Sequence, residues 1–304
     1  MPGPVFMWRN WLGLILMLAG SSHLFAAEER EELLLWPEGQ PAPRVAAEPA
    51  EVVETAADGT IRRTNISRAR LVVYLPPADV KRTGAAVIVI PGGGFSRLSD
   101  QHEGWEACEW LAKQGIVSCL LLHRTPTHQQ PAPNAAPVQD AQKAVSELRR
   151  QAQKFQIDPQ KIGVLGFSAG GQVALLAATN PLCFPVKSEI PSHQPDFLLL
   201  LYPYQIYLPE KKALRPDILL DGKLPPMFIA QMGDDGGSLP QGSTLLYWEL
   251  INRKVPAEIH IYERGGHGFG MRARPGSTGP IDWQLRAADW LQQHAWGSGL
   301  TTAK

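Results

Sequence analysis

Seven apolar runs of five to seven residues punctuate the chain: Leu71–Leu75, Ala86–Ile90, Ile116–Leu122, Ile162–Phe167, Phe197–Tyr202, Met227–Gln231 and Glu258–Tyr262. Several, such as "AVIVI" and "FLLLL", are continuous rather than alternating in polarity. Strands buried on both faces of a parallel sheet read this way, because neither side of the strand meets water. Between the runs, segments 101–114, 139–155, 169–179, 241–254 and 282–296 carry helix-period patterns. In 139–155 the apolar positions are Ala141, Ala144, Val145, Leu148, Ala152 and Phe155, with Asp140 near the start and Lys154 near the end. Both charges favour the helix dipole. In 282–296, Trp283, Ala287, Trp290, Leu291 and His294 repeat the spacing. Alternation of strands and helices predicts an α/β fold, a mostly parallel doubly wound sheet with helices on both faces.

The flanks differ. Arg9, the apolar run Trp11–Ala19 and the small residues Ala26 and Ala27 before "EEREE" have the layout of a secretory signal peptide over residues 1–27. The expectation is export to the periplasm or the medium, with no stable membrane association after cleavage; an uncleaved N-terminal anchor is the alternative. Residues 28–50, rich in Glu, Pro and Ala, read as an irregular lead-in. No Pro/Gly/Ser-rich linker divides the remainder, so 51–304 reads as a single domain. Segment 203–226, with Tyr204, Ile206, Tyr207 and Leu208, reads either as a short cap over the strand ends or as a surface connection.

Composition narrows the function class. Lys plus Arg equals Asp plus Glu at 29 each, so no overall field draws the chain to nucleic acid or an acidic membrane. An odd cysteine count, Cys108, Cys119 and Cys183, cannot form a closed disulfide framework. Cys108 and Cys119 read as small core residues, and a bridge between them stays open. No Cys or His grouping has metal-ligand spacing, and neither metal nor cofactor is expected.

Ligands of open α/β sheets bind at the carboxyl ends of strands. "GFSAGG" places Ser168 between a strand and a helix, the position a nucleophile needs for its hydroxyl to stand above the sheet. A glycine-rich packing turn with Ser168 as helix N-cap is the plainer reading. "PGGGF", Pro91 to Phe95, follows another strand, and its glycines can turn backbone amides toward a ligand. Gly93, Gly94 and the amide of Ala169 are the candidate oxyanion hole. "YERGGHGFG" puts His267 on a glycine-rich loop after the last strand, a candidate base. "MFIAQMGDDGG" offers Asp234 and Asp235 after the preceding strand, and spacing alone does not separate the two.

The order Ser168, Asp234 or Asp235, His267, together with "PGGG", resembles the α/β-hydrolase superfamily, and within it the carbohydrate-esterase-like branch of acetylxylan and feruloyl esterases. The stretches "PAPNAAPVQDAQKAVSELRRQAQKFQIDPQKIGVLGFSAGG" and "VPAEIHIYERGGHGFG" carry the likeness from about Leu71 to the C-terminal helix. The resemblance implies an α/β-hydrolase fold and a Ser-His-Asp serine esterase acting on small-molecule or polysaccharide esters, without cofactor. It also implies Asp235 as the acid, because the family's acid lies eight residues before a helix-start serine, here Ser243. Asp234 is then the alternative acid. The chain departs from the pattern at "DGGSLP", at Gln172 where histidine is frequent, and at His123-Arg124 where Tyr-Arg is usual. A serine peptidase would share the triad but generally adds a large peptide-selecting domain. A binding protein on the same fold would not need Ser168, His267 and an acid together.

Overall fold

The computed structural model describes residues 30–57, 59–185, 190–272 and 282–298, with Met1 and Gly3. The expected leader, residues 1–27, otherwise lies outside the described residues, and Glu31–Lys304 forms one compact unit. Among the described residues, twelve strands follow in chain order: β1 Glu32–Leu34, β2 Val52–Thr55, β3 Ile61–Thr64, β4 Arg70–Tyr74, β5 Ala86–Ile90, β6 Val117–Leu122, β7 Ile162–Phe167, β8 Phe197–Leu201, β9 Tyr207–Leu208, β10 Ala213–Leu214, β11 Met227–Met232 and β12 Ala257–Tyr262. The helices are α1 Glu106–Ala112, preceded by a π-turn Gln101–Trp105, then α2 Ala135–Arg150, α3 Ala152–Phe155, α4 Ala169–Thr179, α5 Pro240–Asn252 and α6 Trp283–Gln293.

Eight strands form the central sheet in the order β1-β4-β6-β5-β7-β8-β11-β12. The six from β6 to β12 run parallel, β4 pairs antiparallel with β6, and β1 antiparallel with β4. The continuous apolar runs are explained at once: β5, β6, β7, β8 and β11 are buried along their whole length. Alternate residues of β5 divide between two cores. Ala86, Ile88 and Ile90 belong to the core shared with α2, α4 and α5, while Val87 and Val89 belong to the one shared with α1 and α6. Each fully buried Leu or Ile contributes roughly 1.5–3 kcal/mol, so the two faces carry most of the fold. Cys108 and Cys119 are buried on opposite faces, and no disulfide forms among the described residues.

Two findings differ from the sequence reading. Residues 28–50, expected to be irregular, supply β1 at the sheet edge, in register with Arg70, Leu71 and Val72. Three residues are too few for a periodicity signal, and only the neighbouring strand reveals them. The expected helix over 139–155 begins earlier, at Ala135, and breaks at Gln151. Because the helix starts at Ala135, Asp140 lies beyond its first turn and does not serve the dipole as expected. It pairs with Arg124 at 2.9 Å, both side chains fully buried. Arg124 also donates to the carbonyls of Pro41 and Pro43 at 2.8 Å, pinning the lead-in beside the loop that follows β6.

Candidate active site

Ser168 is the single residue between β7 and α4, with φ 50° and ψ −119°. Such a conformation costs an L-residue of order 1–3 kcal/mol and persists only where its surroundings over-determine it. Here they do. Its amide donates to Leu201 O at 2.9 Å, and its carbonyl accepts the amides of Gly171, Gln172 and Tyr204 at 2.9, 3.1 and 2.8 Å. The flanking glycines are required sterically: a Cβ on Gly166 would overlap the Gly170 carbonyl, and one on Gly170 would overlap the Ile90 carbonyl. The side chain makes no capping bond to α4, which removes the N-cap reading. Instead Ser168 Oγ lies 2.8 Å from His267 Nε2.

His267 stands on the loop after β12. Its Nδ1 faces Asp235 Oδ2 at 2.8 Å and Oδ1 at 3.1 Å. Asp235 is 2% exposed, and a carboxyl group buried this deeply needs hydrogen-bond partners. Those partners are present: Oδ1 accepts the amides of Gly237 and Ser238 at 2.8 Å each, and Oδ2 accepts Gln231 Nε2 at 3.0 Å. Asp234 takes a different task. Its Oδ1 accepts the amides of Gly265 and Gly266 at 3.0 and 2.8 Å, tying down the loop that leads to His267. Of the two aspartates that spacing leaves equal, only Asp235 reaches the imidazole.

The glycine loop after β5 packs directly on this centre. A Cβ on Gly92 would sit 2.7 Å from Ser168 Cβ and 2.6 Å from Glu103 Oε2. Gly93 and Gly94 have φ of 134° and 60°, which glycine adopts without strain. Among the described residues, no group accepts a hydrogen bond from the amides of Gly93, Gly94 or Ala169. Gly94 also lines a cavity of about 220 Å³ whose wall includes His128, Asn134, Gln172, Tyr204, Gln205 and Arg215. Segment 203–226 thus supplies Tyr204, Gln205 and Arg215 to the wall. Gln172 donates to the Tyr204 carbonyl at 2.8 Å and binds the segment to α4.

Several polar residues around the site carry no motif. Gln231 breaks the apolar run of β11, is fully buried, and links Ser243 Oγ to Asp235. A lone amide inside a buried strand is the signal that marks it. Glu103 and Tyr202 are also buried beside the site, but "HEGWEACEW" reads as an ordinary helix face. His123, beside Arg124, is fully buried; burial holds its pKa below 6.5, and its Nδ1 lies 3.1 Å from the Arg124 carbonyl.

The comparisons with known proteins agree with this architecture. The BD-FAE family model matches residues 71–182. The acetylxylan esterase of Xylanibacter ruminicola is 29% identical over 242 residues, covering 72% of this chain and 47% of that protein. Endo-1,4-beta-xylanase B of Butyrivibrio fibrisolvens is 28% identical over 222 residues, covering 66% and 34%. The chain therefore spans about half the length, or less, of these curated relatives. Among solved structures, an acetyl ester-xyloside bifunctional hydrolase from Caldicellulosiruptor lactoaceticus is 30% identical with a TM-score of 0.63, covering 76% of this chain and 90% of that one. A thermophilic esterase of Thermogutta terrifontis, with propionate bound, shares the fold at 23% identity and a TM-score of 0.63, covering 84% and 98%.

Proposed function

This chain belongs to the α/β-hydrolase superfamily, in its carbohydrate-esterase-like branch, and on that premise we propose that it is a serine carboxylesterase that deacylates carbohydrate esters of the xylan type. The observation that carries the reading is the unbroken line Ser168 Oγ, His267, Asp235, with 2.8 Å at each junction. A serine hydroxyl is a poor nucleophile unless a base takes its proton as it attacks. His267 Nε2 is placed to do so, and Asp235 holds Nδ1–H so that the imidazole keeps the required tautomer and its cation is stabilised.

Ser168 attacks the ester carbonyl and His267 receives the proton. The carbonyl oxygen becomes an oxyanion, for which the Gly93, Gly94 and Ala169 amides are the donors at hand. One such donor contributes about 2.7–4 kcal/mol to the transition state. His267 then protonates the departing alcohol oxygen, leaving an acyl-enzyme. Water, activated by the same histidine, attacks the acyl carbon and releases the acid. The polar cavity beside Gly94 suits a hydroxylated alcohol portion, and the names of the acetylxylan esterase and acetyl ester-xyloside hydrolase relatives support an acetylated xylan. The leader expected over residues 1–27 supports action outside the cytoplasm.

Acetate release from acetylated xylo-oligosaccharides tests the proposal, comparing the wild type with Ser168→Ala. Release by the wild type alone is expected. Release by neither protein sinks the acetyl-xylan substrate, and equal release by both removes Ser168 as nucleophile.

A further inference from the structure

The two loops that meet over Ser168 have little rigidity of their own. Gly93, Gly94, Gly265, Gly266, Gly268 and Gly270 all have positive φ, and glycine pays more conformational entropy on ordering than any other residue. Something outside the loops must hold them. Glu103 and Tyr202, which no step above uses, lie between the two.

Glu103 is 4% exposed and sits in the π-turn that precedes α1. π-turns are rare and tend to appear at functional sites. Its Oε2 accepts the amide of Gly92 at 3.0 Å, and its Oε1 accepts the hydroxyl of Tyr202 at 2.9 Å. That hydroxyl in turn accepts the amide of Gly270 at 2.8 Å. The Gly92 carbonyl is held as well, by the amide of Ser99 at 2.9 Å. Tyr202 presents its ring edge-on to His267 and Phe269, with centroids 5.1 and 4.4 Å away. On the same side, His102 O accepts the Met271 amide at 2.8 Å, and Trp283 Nε1 donates to Gly270 O at 2.9 Å. The His102 imidazole stands 3.9 Å from Glu103 Oε1.

We propose that Glu103 and Tyr202 form a strut that sets the oxyanion loop and the His267 loop in one register, which makes both of them positioning residues. The inference rests on the reading of the site as a serine-esterase centre. One carboxyl group accepting donors from both sides ties two glycine-rich loops into a single body. Catalysis by oriented donors requires this, since a displacement of about 1 Å can cost roughly 100-fold in rate. A glutamine at 103 offers one acceptor oxygen in place of two, and its Nε2 meets the Tyr202 hydroxyl only by reversing that bond and depriving the phenol proton of its acceptor; a phenylalanine at 202 keeps the ring while losing the hydroxyl's bonds to Glu103 and Gly270.

The test is peptide-resolved amide hydrogen exchange on the whole chain, for wild type, Glu103→Gln and Tyr202→Phe. The strut requires each variant to loosen the loop it does not itself bond: 264–272 in Glu103→Gln and 91–96 in Tyr202→Phe, each exchanging about tenfold faster, as expected for one lost hydrogen bond. Faster exchange confined to the directly bonded loop overturns the proposal. If Glu103→Gln fails to fold, the response of 91–96 in Tyr202→Phe decides. Kinetics on p-nitrophenyl acetate add a second readout. Both variants should lose about tenfold or more in kcat with little change in KM, and the double variant should be no worse than the weaker single one. Multiplying losses overturn the strut. An inactive wild type would sink the esterase reading alone, leaving the exchange result to judge the strut.

Discussion

Asp234 and Asp235 are chain neighbours that serve the same histidine loop from opposite ends. Asp235 Oδ2 meets the imidazole at 2.8 Å, while Asp234 Oδ1 clasps the amides of Gly265 and Gly266, two and one residues ahead of that imidazole. The backbone turns between them, so one carboxylate enters the buried side of the loop and the other stays on its rim.

Their substitutions should separate cleanly. Asp235→Asn is expected to lower kcat about 10⁴-fold, since an amide can hold His267 in the wrong tautomer. Asp234→Asn should cost about tenfold or less, because it weakens two loop hydrogen bonds without touching the proton path. Initial rates on one ester substrate decide between them, and equal losses would remove Asp235 from its assigned role.

Ser168 stores backbone strain, and relieving it should show in stability. Ser168→Ala keeps the same φ of 50° and removes only the hydroxyl. Ser168→Gly relaxes the backbone as well and should be more stable than Ser168→Ala by about 1 kcal/mol, after glycine's own entropic cost is set against the strain. Urea unfolding of the two variants measures the difference. A less stable glycine variant would mean that the turn is not strained.

Burial lowers the pKa of His123 below 6.5; the hydrogen bond to the Arg124 carbonyl and the charge of Asp140 partly oppose the shift, and the Arg124 charge adds a little to it. The folded state therefore resists protonation that the unfolded chain accepts near pH 6.5. The unfolded chain binds more protons in that window, so stability rises with pH there and is lost as pH falls below about 6.5. His193 and His294 shift in the same direction, also through burial. His123→Leu should flatten the slope of unfolding free energy against pH between about 7 and 5 without abolishing it. An unchanged slope would show that His123 does not titrate on unfolding.

The Arg124–Asp140 pair tests how the lead-in is held. Asp140→Ala leaves a fully buried guanidinium without its counter-charge and also strips the Trp36 indole of its acceptor. A loss of roughly 3–5 kcal/mol is expected, read by denaturant unfolding. Limited proteolysis should cut first within residues 36–47, the segment whose carbonyls Arg124 binds. A loss under about 1 kcal/mol would mean the pair is dispensable.

Much of this architecture is already written in the order of residues. Continuous apolar runs determine a sheet buried on both faces, because a strand flanked by helices on both sides has no polar face to display. The spacing in "GFSAGG" determines the elbow, because only glycine fits at 166 and 170 beside a turn that tight. These are local properties, each decided within about ten residues. The three-residue strand β1 and the Glu103–Tyr202 contact belong to the tertiary structure alone, while the preference for Asp235 over Asp234, implied by the family resemblance and left open by the aspartates' own positions, agrees with the contact to the imidazole. Glu103 and Tyr202 stand 99 positions apart, and the polarity of a glutamate in a helical stretch says nothing about which loop it will meet. Periodicity reports how a residue faces its own element; the partner across the core appears only when the sheet has closed around it.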